Sequence, residues 1–332
     1  MQFNNKYHTL VGCPLPEGIL LLKISIVMNN KTSDLRIVNS ISEIHQQMGL
    51  PKPKHPLISV IQYAEATNEP VPRPEKFLTN FYMVCIKKDY QGTFKYGQQY
   101  YDFSEGAMTF IAPKQVIFEE NADENPQGTL LLFHPDLIQG YSLAKKIHDY
   151  GFFTYEANEA LHLSEGEEAM IEGVMNSIAG EYQSPVDTFS QDVIISQLEL
   201  LLNYSNRFYH RQFITRHQAS KGLLAEVETL LNGWFQSEQL IETGVPTVQE
   251  VAQHLNMSPN YLSDMLRTLT GQTTQQHIHN ALIEKAKEQL STTALPISEI
   301  AYQLGFEYSQ SFSKLFKNKT DVSPSEFRNS FN

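Results

Sequence analysis

The last third of the chain is a duplication, and no other feature of the sequence limits the possible fold so strongly. Laid on itself at an offset of 49 to 50 residues, Val248, Val251, Ala252, Leu255 and Met257 match Ile297, Ile300, Ala301, Leu304 and Phe306 at identical spacing. After one extra residue in the second copy, Leu262, Ser263, Leu266, Arg267 and Thr270 match Phe312, Ser313, Phe316, Lys317 and Thr320. Such a repeat is one supersecondary unit used twice. Each copy reads as a short helix, a tight turn and a second helix. In the first, 247–255 carries the apolar stripe, Asn256 and Met257 make the turn, and Ser258 caps a helix with Pro259 at its first position. In the second, 297–304 ends at Gly305, where a residue without a Cβ takes the left-handed conformation, and the next helix starts near Ser309. Ala252 and Ala301 are small enough for the second helix of each pair to cross close to the first, the helix-turn-helix geometry. Val248, Leu255, Met257, Leu262, Leu304, Phe306, Phe312 and Phe316 are expected in the core.

Between the copies, Ile278, Ala281, Leu282, Ala286 and Leu290 form one apolar face of a helix over 274–290. Roughly 17 residues at about 1.5 Å each span about 26 Å. With the flanking units added, two second helices could lie near one DNA turn apart, about 34 Å.

Ile300, Ala301, Leu304, Gly305, Phe306, then Phe312, Phe316, Lys317, and finally Ser323, Pro324, Phe327 and Arg328 resemble the signature of the AraC family of transcriptional regulators. Ala252, Met257, Ser258, Tyr261, Leu262 and Gly271 resemble the first unit of that family, so the likeness covers 223–331. It implies a sequence-specific DNA-binding transcription factor with two reading helices. The positions aimed at base edges would be Asn260, Ser263 and Asp264 in the first, and Ser309, Gln310, Ser311 and Lys314 in the second. Asn and Gln can bond adenine in a bidentate manner, Lys can bond guanine, and Asp can accept from cytosine N4. Arg267, Lys317 and Lys319 would hold phosphates and set register. The partners implied are double-stranded promoter DNA, a small-molecule effector, RNA polymerase and a second copy of the chain. Three positions depart from the family. Asp264 and Ala281 stand where many members carry Arg, and Asp321 replaces the turn glycine matched by Gly271, although Asp can also visit the left-handed region. A carboxylate at 264 repels phosphates, so the first unit is expected to bind weakly or to read a different base.

The front of the chain is built differently. Short β-like runs at 57–62, 81–87, 99–103, 107–112, 116–118 and 129–133 are separated or flanked by Gly92, Gly97, Gly106, Pro113 and Gly128. A small barrel or sandwich fits this pattern. The resemblance implies a cupin-like barrel, with Tyr101, Phe103, Gly106 and Phe110 in its strand-turn-strand. After His134 the period becomes helical. Ser164 and Glu167 form a capping-box pattern opening 165–182, and Pro185 begins a second stretch to Arg211. There Ile194, Leu198, Leu201 and Phe208 form an apolar stripe suited either to a dimer seam or to packing on the chain's own barrel. Tyr82, Tyr96, Tyr100 and Tyr101 either line a ligand pocket or fill the core.

Composition excludes several other classes. The 332 residues are 41% hydrophobic and 19% charged, a globular balance with room for two domains. The net charge of −12 divides into −9 up to Thr215 (16 basic, 25 acidic residues) and −3 from Arg216 (9 basic, 12 acidic), which argues against a protein that coats nucleic acid. Positive charge in the tail is local: Lys314, Lys317 and Lys319 lie in a stretch with no carboxylate between Glu307 and Asp321. Cys13 and Cys85 are far apart with no CxxC, so neither a disulfide framework nor a zinc site is expected. The run 18–28 is about half a membrane span, which implies no insertion and a cytoplasmic protein. No histidine lies between His55 and His134, which disfavours a metal-dependent cupin oxygenase, and no phosphate loop is present. His134 with Asp136, and His277 with His279, form no catalytic set. No cofactor, metal or enzyme activity is expected. The alternatives are a cupin-like enzyme, and a scaffold whose tail has lost DNA binding.

The expected class is α+β and multidomain: a strand-rich cupin-like barrel, a helical linker, and an all-α domain with two helix-turn-helix units. The boundaries are 1–27 for a poorly defined extension, with translation expected to start at Met28, 28–163 for the front domain, 164–215 for the linker and possible dimerisation region, and 216–332 for the DNA-binding domain.

Overall fold

The computed structural model describes residues 35–66, 76–88, 90–96, 99–103, 106–118, 127–156, 159–185, 187–215, 217–237 and 240–331; the side chains of 76, 90–96, 99–103, 118, 217–221 and 242 are excepted. The expected extension 1–27, Met28, Cys13 and Gly97 lie outside the described residues, as do the side chains of Tyr96, Tyr100, Tyr101 and Phe103.

The strands are β1 (Arg36–Val38), β2 (Ile58–Gln62), β3 (Lys76–Thr79), β4 (Tyr82–Lys88), β5 (Tyr90–Tyr96), β6 (Gln99–Phe103), β7 (Ala107–Ile111), β8 (Val116–Phe118), β9 (Gln127–Phe133) and β10 (Leu161–His162). They pair as a five-stranded sheet in the order β10-β7-β4-β9-β2, a three-stranded sheet β1-β3-β8 and a hairpin β5-β6. The expected closed barrel is therefore not formed among the described residues. The physical reason lies in β4, which is apolar on both faces. Tyr82, Val84 and Ile86 enter one core cluster with Met108, Phe110, Leu131 and Phe133. Met83 and Cys85 enter another with Ile61, Leu130 and Leu132, closed by Ile41 and Ile44 and by Phe77 and Ile117 of the small sheet. A sheet covered on both faces needs no closure on itself. Two glycines expected in turns sit inside strands: Gly92 in β5, across a register irregularity, and Gly128 in β9. Gly128 has φ 122°, and a Cβ there would overlap the Ile86 carbonyl of the paired strand.

The helices are α1 (Ile41–Gln47), α2 (Pro135–Ile138), α3 (Leu143–Lys146), α4 (Glu165–Gln183), α5 (Ser190–Thr215), α6 (His217–Gln236), α7 (Leu240–Thr243), α8 (Val248–His254), α9 (Pro259–Thr270), α10 (Thr274–Thr292), α11 (Ile297–Gln303), α12 (Ser309–Thr320) and α13 (Pro324–Asn329). The capping box of Ser164 and Glu167 opens α4 as expected, and the same device opens α8, α10 and α13. The second helical stretch starts at Ser190 instead of Pro185, because the Asp187 carboxylate accepts from the N–H groups of Phe189 and Ser190 and caps the helix there. The α5 stripe Ile194, Leu198, Leu201 and Phe208 is buried in the chain's own core, so the dimer-seam alternative for these residues is overturned. Tyr82 is likewise core, stacked on Phe133 at 4.8 Å. No described helix is long and apolar enough to cross a membrane.

Candidate nucleic-acid interface

The two tail units are built by matching local devices. In the first, α8 ends at His254, Asn256 takes φ 54°, and the Met257 N–H returns to the Ala252 carbonyl at 3.0 Å. In the second, Gly305 takes φ 80° and the Phe306 N–H returns to the Ala301 carbonyl, also at 3.0 Å. Ala252 and Ala301 are fully buried, as the close helix crossing requires. Ser258 caps α9 by accepting from the Tyr261 N–H, with Pro259 in the first turn. Gly271 at φ 75° closes α9, and Asp321 at φ 62° closes α12 at the matching position, so the substitution of the turn glycine keeps the geometry. Leu262, Leu304, Phe312 and Phe316 are buried, while Val248, Leu255, Met257 and Phe306 are half-buried against the same core.

The second helices of the two units meet opposite surroundings. Helix α12 packs on α10, α11 and α13 of its own unit. Its outer face carries exposed Gln310, Ser311, Lys314, Lys317 and Lys319, with Ser309 half-buried. Lys319 Nζ donates to Asn280 Oδ1 at 3.3 Å, and no ion pair among the described residues engages these lysines. Sequence reasoning passed over two exposed tyrosines of this unit: Tyr308, 60% exposed at the N-cap of α12, and Tyr302 on α11.

Helix α9 is contacted by the front domain, although Asn260 itself stays exposed. Asn260 Nδ2 donates to Thr154 Oγ1 at 2.7 Å, and the Tyr155 hydroxyl donates to Asp264 Oδ2 at 2.7 Å. Arg267 holds the other Asp264 oxygen at 3.1 Å, and Ser263 Oγ donates to Thr274 Oγ1 at 3.0 Å. At the helix N-terminus, the Glu159 carboxylate accepts from the Ser258 N–H at 2.7 Å and from the Ser258 hydroxyl at 2.6 Å. The Tyr261 ring meets Tyr155 and Phe213 edge to face, both at 5.1 Å. Burial pushes the Glu159 carboxyl up to about 7, against the pull of its Ser258 donors. Burial, reinforced by the facing Asp264 carboxylate, raises the Tyr155 hydroxyl far above its ordinary value. Thus Asn260, Ser263 and Asp264 all have intramolecular partners in this structure, while Arg267 stays largely exposed. Thr154, Tyr155 and Glu159 were missed in the sequence, where the only signal pointing to them is the unexpected carboxylate at 264.

A helix-turn-helix domain profile matches residues 251–330. The arabinose operon regulatory protein of Salmonella typhimurium is 40% identical over 81 residues, covering 24% of this chain and 29% of that protein. The chain thus aligns with under a third of that relative's length. Regulatory protein SoxS of the same organism is 34% identical over 101 residues, 27% of this chain and 94% of SoxS. Among solved structures, the C-terminal domain of the two-component response regulator yesN from Fusobacterium nucleatum is 28% identical, covering 32% of this chain and 98% of that one with a TM-score of 0.29. Carrying a duplicated unit that matches SoxS over nearly its whole length, this chain belongs to the AraC family of helix-turn-helix transcription regulators.

Proposed function

We propose that this chain regulates transcription by binding double-stranded DNA at specific sequences. The observation that carries this is the outer face of α12: a polar, lysine-bearing helix surface presented to solvent at the position where a helix-turn-helix protein meets the major groove. Gln310 suits adenine and Lys314 suits guanine, with Ser309 and Ser311 as hydroxyl partners. Lys317 and Lys319, three and five residues further along the helix than Lys314, suit phosphates. In the first unit Asn260, Ser263, Asp264 and Arg267 would take the corresponding roles once uncovered.

The activity is regulation and not catalysis. The domain partition at 28–163, 164–215 and 216–332 belongs to the same proposal, as do a small-molecule effector acting on the front domain, a contact with RNA polymerase, a homodimer and a cytoplasmic site of action. Family membership supports these finer parts.

The test is selection of 40-base-pair duplexes from a random pool by the full chain. We expect an enriched sequence, and Lys314→Ala should lose about 1–3 kcal/mol of discrimination at one base position while leaving the others unchanged. Failure to enrich any sequence would overturn the proposal in favour of a scaffold whose tail no longer binds DNA.

A further inference from the structure

The two reading surfaces are unequal, and the inequality comes from one short stretch of the front domain. Among the described residues, three side chains of this stretch hydrogen-bond the start of α9: Thr154 to Asn260, Tyr155 to Asp264, Glu159 to Ser258. The approach is close enough that a Cβ at Gly151 would overlap Asp264 Oδ2. These are the groups DNA would need. The Asn260 amide is a base-edge donor, and the Ser258 N–H and hydroxyl at the start of a helix of 12 residues are donors suited to a phosphate. Glu159 places its two carboxyl oxygens on those donors. Among the described residues, α12 packs on α10, α11 and α13, and its outer face is exposed.

The same contact accounts for Asp264. Facing DNA, its carboxylate would be repelled by phosphates. Facing Tyr155, it accepts a hydrogen bond at 2.7 Å, while Arg267 takes its other oxygen. The residue that is least suitable for the groove is well suited to the covered state.

We infer that residues 151–156 and Glu159 occupy the first reading helix in place of DNA, with Glu159 standing where a phosphate would bind and Asp264 serving as the latch. In the fold described here the chain engages one groove, through α12, and it engages a second only when this stretch is released. The inference rests on the DNA-binding reading above and adds its regulation. A protein whose binding-competent form is a minor population binds more weakly by that fraction, and release restores the lost affinity.

The test uses the full chain, a 40-base-pair duplex enriched by the wild type, and two variants confined to the front domain. Tyr155→Phe removes the latch donor, and Gly151→Glu pushes a second carboxylate against Asp264. Amide exchange over 260–264 should quicken in both. Binding should tighten by about tenfold, and the hydroxyl-radical footprint should gain a second protected segment about 10 base pairs from the first. A structural lesion would weaken binding instead. Faster exchange with unchanged or weaker binding and no added segment would overturn the masking while leaving DNA binding intact; so would a wild-type footprint that already spans both segments. Failure of the wild type to enrich any duplex would remove the DNA-binding reading itself and the masking with it.

Discussion

Raising the pH from about 5 to about 8 should loosen the contact between Glu159 and the start of α9, and substitution of this one side chain should abolish the effect. Glu159 is only 4% exposed; Ser258 and the Glu156 N–H donate to its carboxylate, and the Tyr209 hydroxyl donates to its backbone carbonyl. Burial outweighs the donors and raises the carboxyl from its ordinary 4.5 to about 7. The sign follows from which state holds the proton. Below the ordinary carboxylate value the group is neutral whether the contact is made or broken, so the stabilisation is complete. As pH rises the released form ionises first, and the advantage of the covered form is spent by about pH 7. At about 1.4 kcal/mol for each tenfold change in proton affinity, the loss between about pH 5 and about pH 8 is roughly 2–3 kcal/mol. Urea unfolding of the wild type and of Glu159→Gln across this range is the assay, read as the difference between the two proteins because every other group titrates in both. The wild type should lose stability relative to Glu159→Gln as the pH rises. A flat difference, or one of opposite sign, refutes the burial of an acid at this helix end.

Leu198→Ala should cost about 2–5 kcal/mol in denaturant unfolding, the range for a fully buried leucine, without changing the sedimentation coefficient of the folded protein. Dissociation of an oligomer by this change would restore the dimer seam. Gly305→Ala should destabilise by about 2 kcal/mol or more, because φ is 80° and the added Cβ would meet the Gly244 backbone at 2.9 Å; an unshifted melting temperature would contradict the close approach. Lys317→Ala should weaken binding about equally for all duplex sequences and reduce the slope of log affinity against log salt by about 1. A change confined to one base position would move Lys317 from the phosphates to the bases.

The tail was legible because its determinants are local. Ser258 and Pro259 announce a helix start, Gly271, Gly305 and Asp321 announce left-handed stops, and the two alanines mark the crossing, so each unit could be drawn without knowing what surrounds it. The front domain was legible only in part: the three-residue β8 was anticipated, whereas the seven-residue β5 was not. β4 and β9 stand out as apolar runs, whereas β1, β3 and β10, of three, four and two residues, are too short to carry a period. An apolar pattern also says that a face is covered without saying by what. That is why the stripe on α5 left a second chain and the chain's own core equally open, and why a two-faced sheet resembled a barrel. The candidate site divides in the same way. Exposure of α12 follows from its own sequence, but the cover on α9 comes from residues about a hundred positions earlier, through contacts such as Tyr155 to Asp264 that no local spacing encodes.

Photo-crosslinking from position 310 of the full chain, mixed with a duplex it has enriched from a random pool, tests the central claim most directly. If α12 enters the major groove, a photoreactive side chain replacing Gln310 attaches to bases within the enriched sequence, and unlabelled duplex of the same sequence competes it away. Attachment to protein alone, with the duplex bound but untouched, would contradict the account.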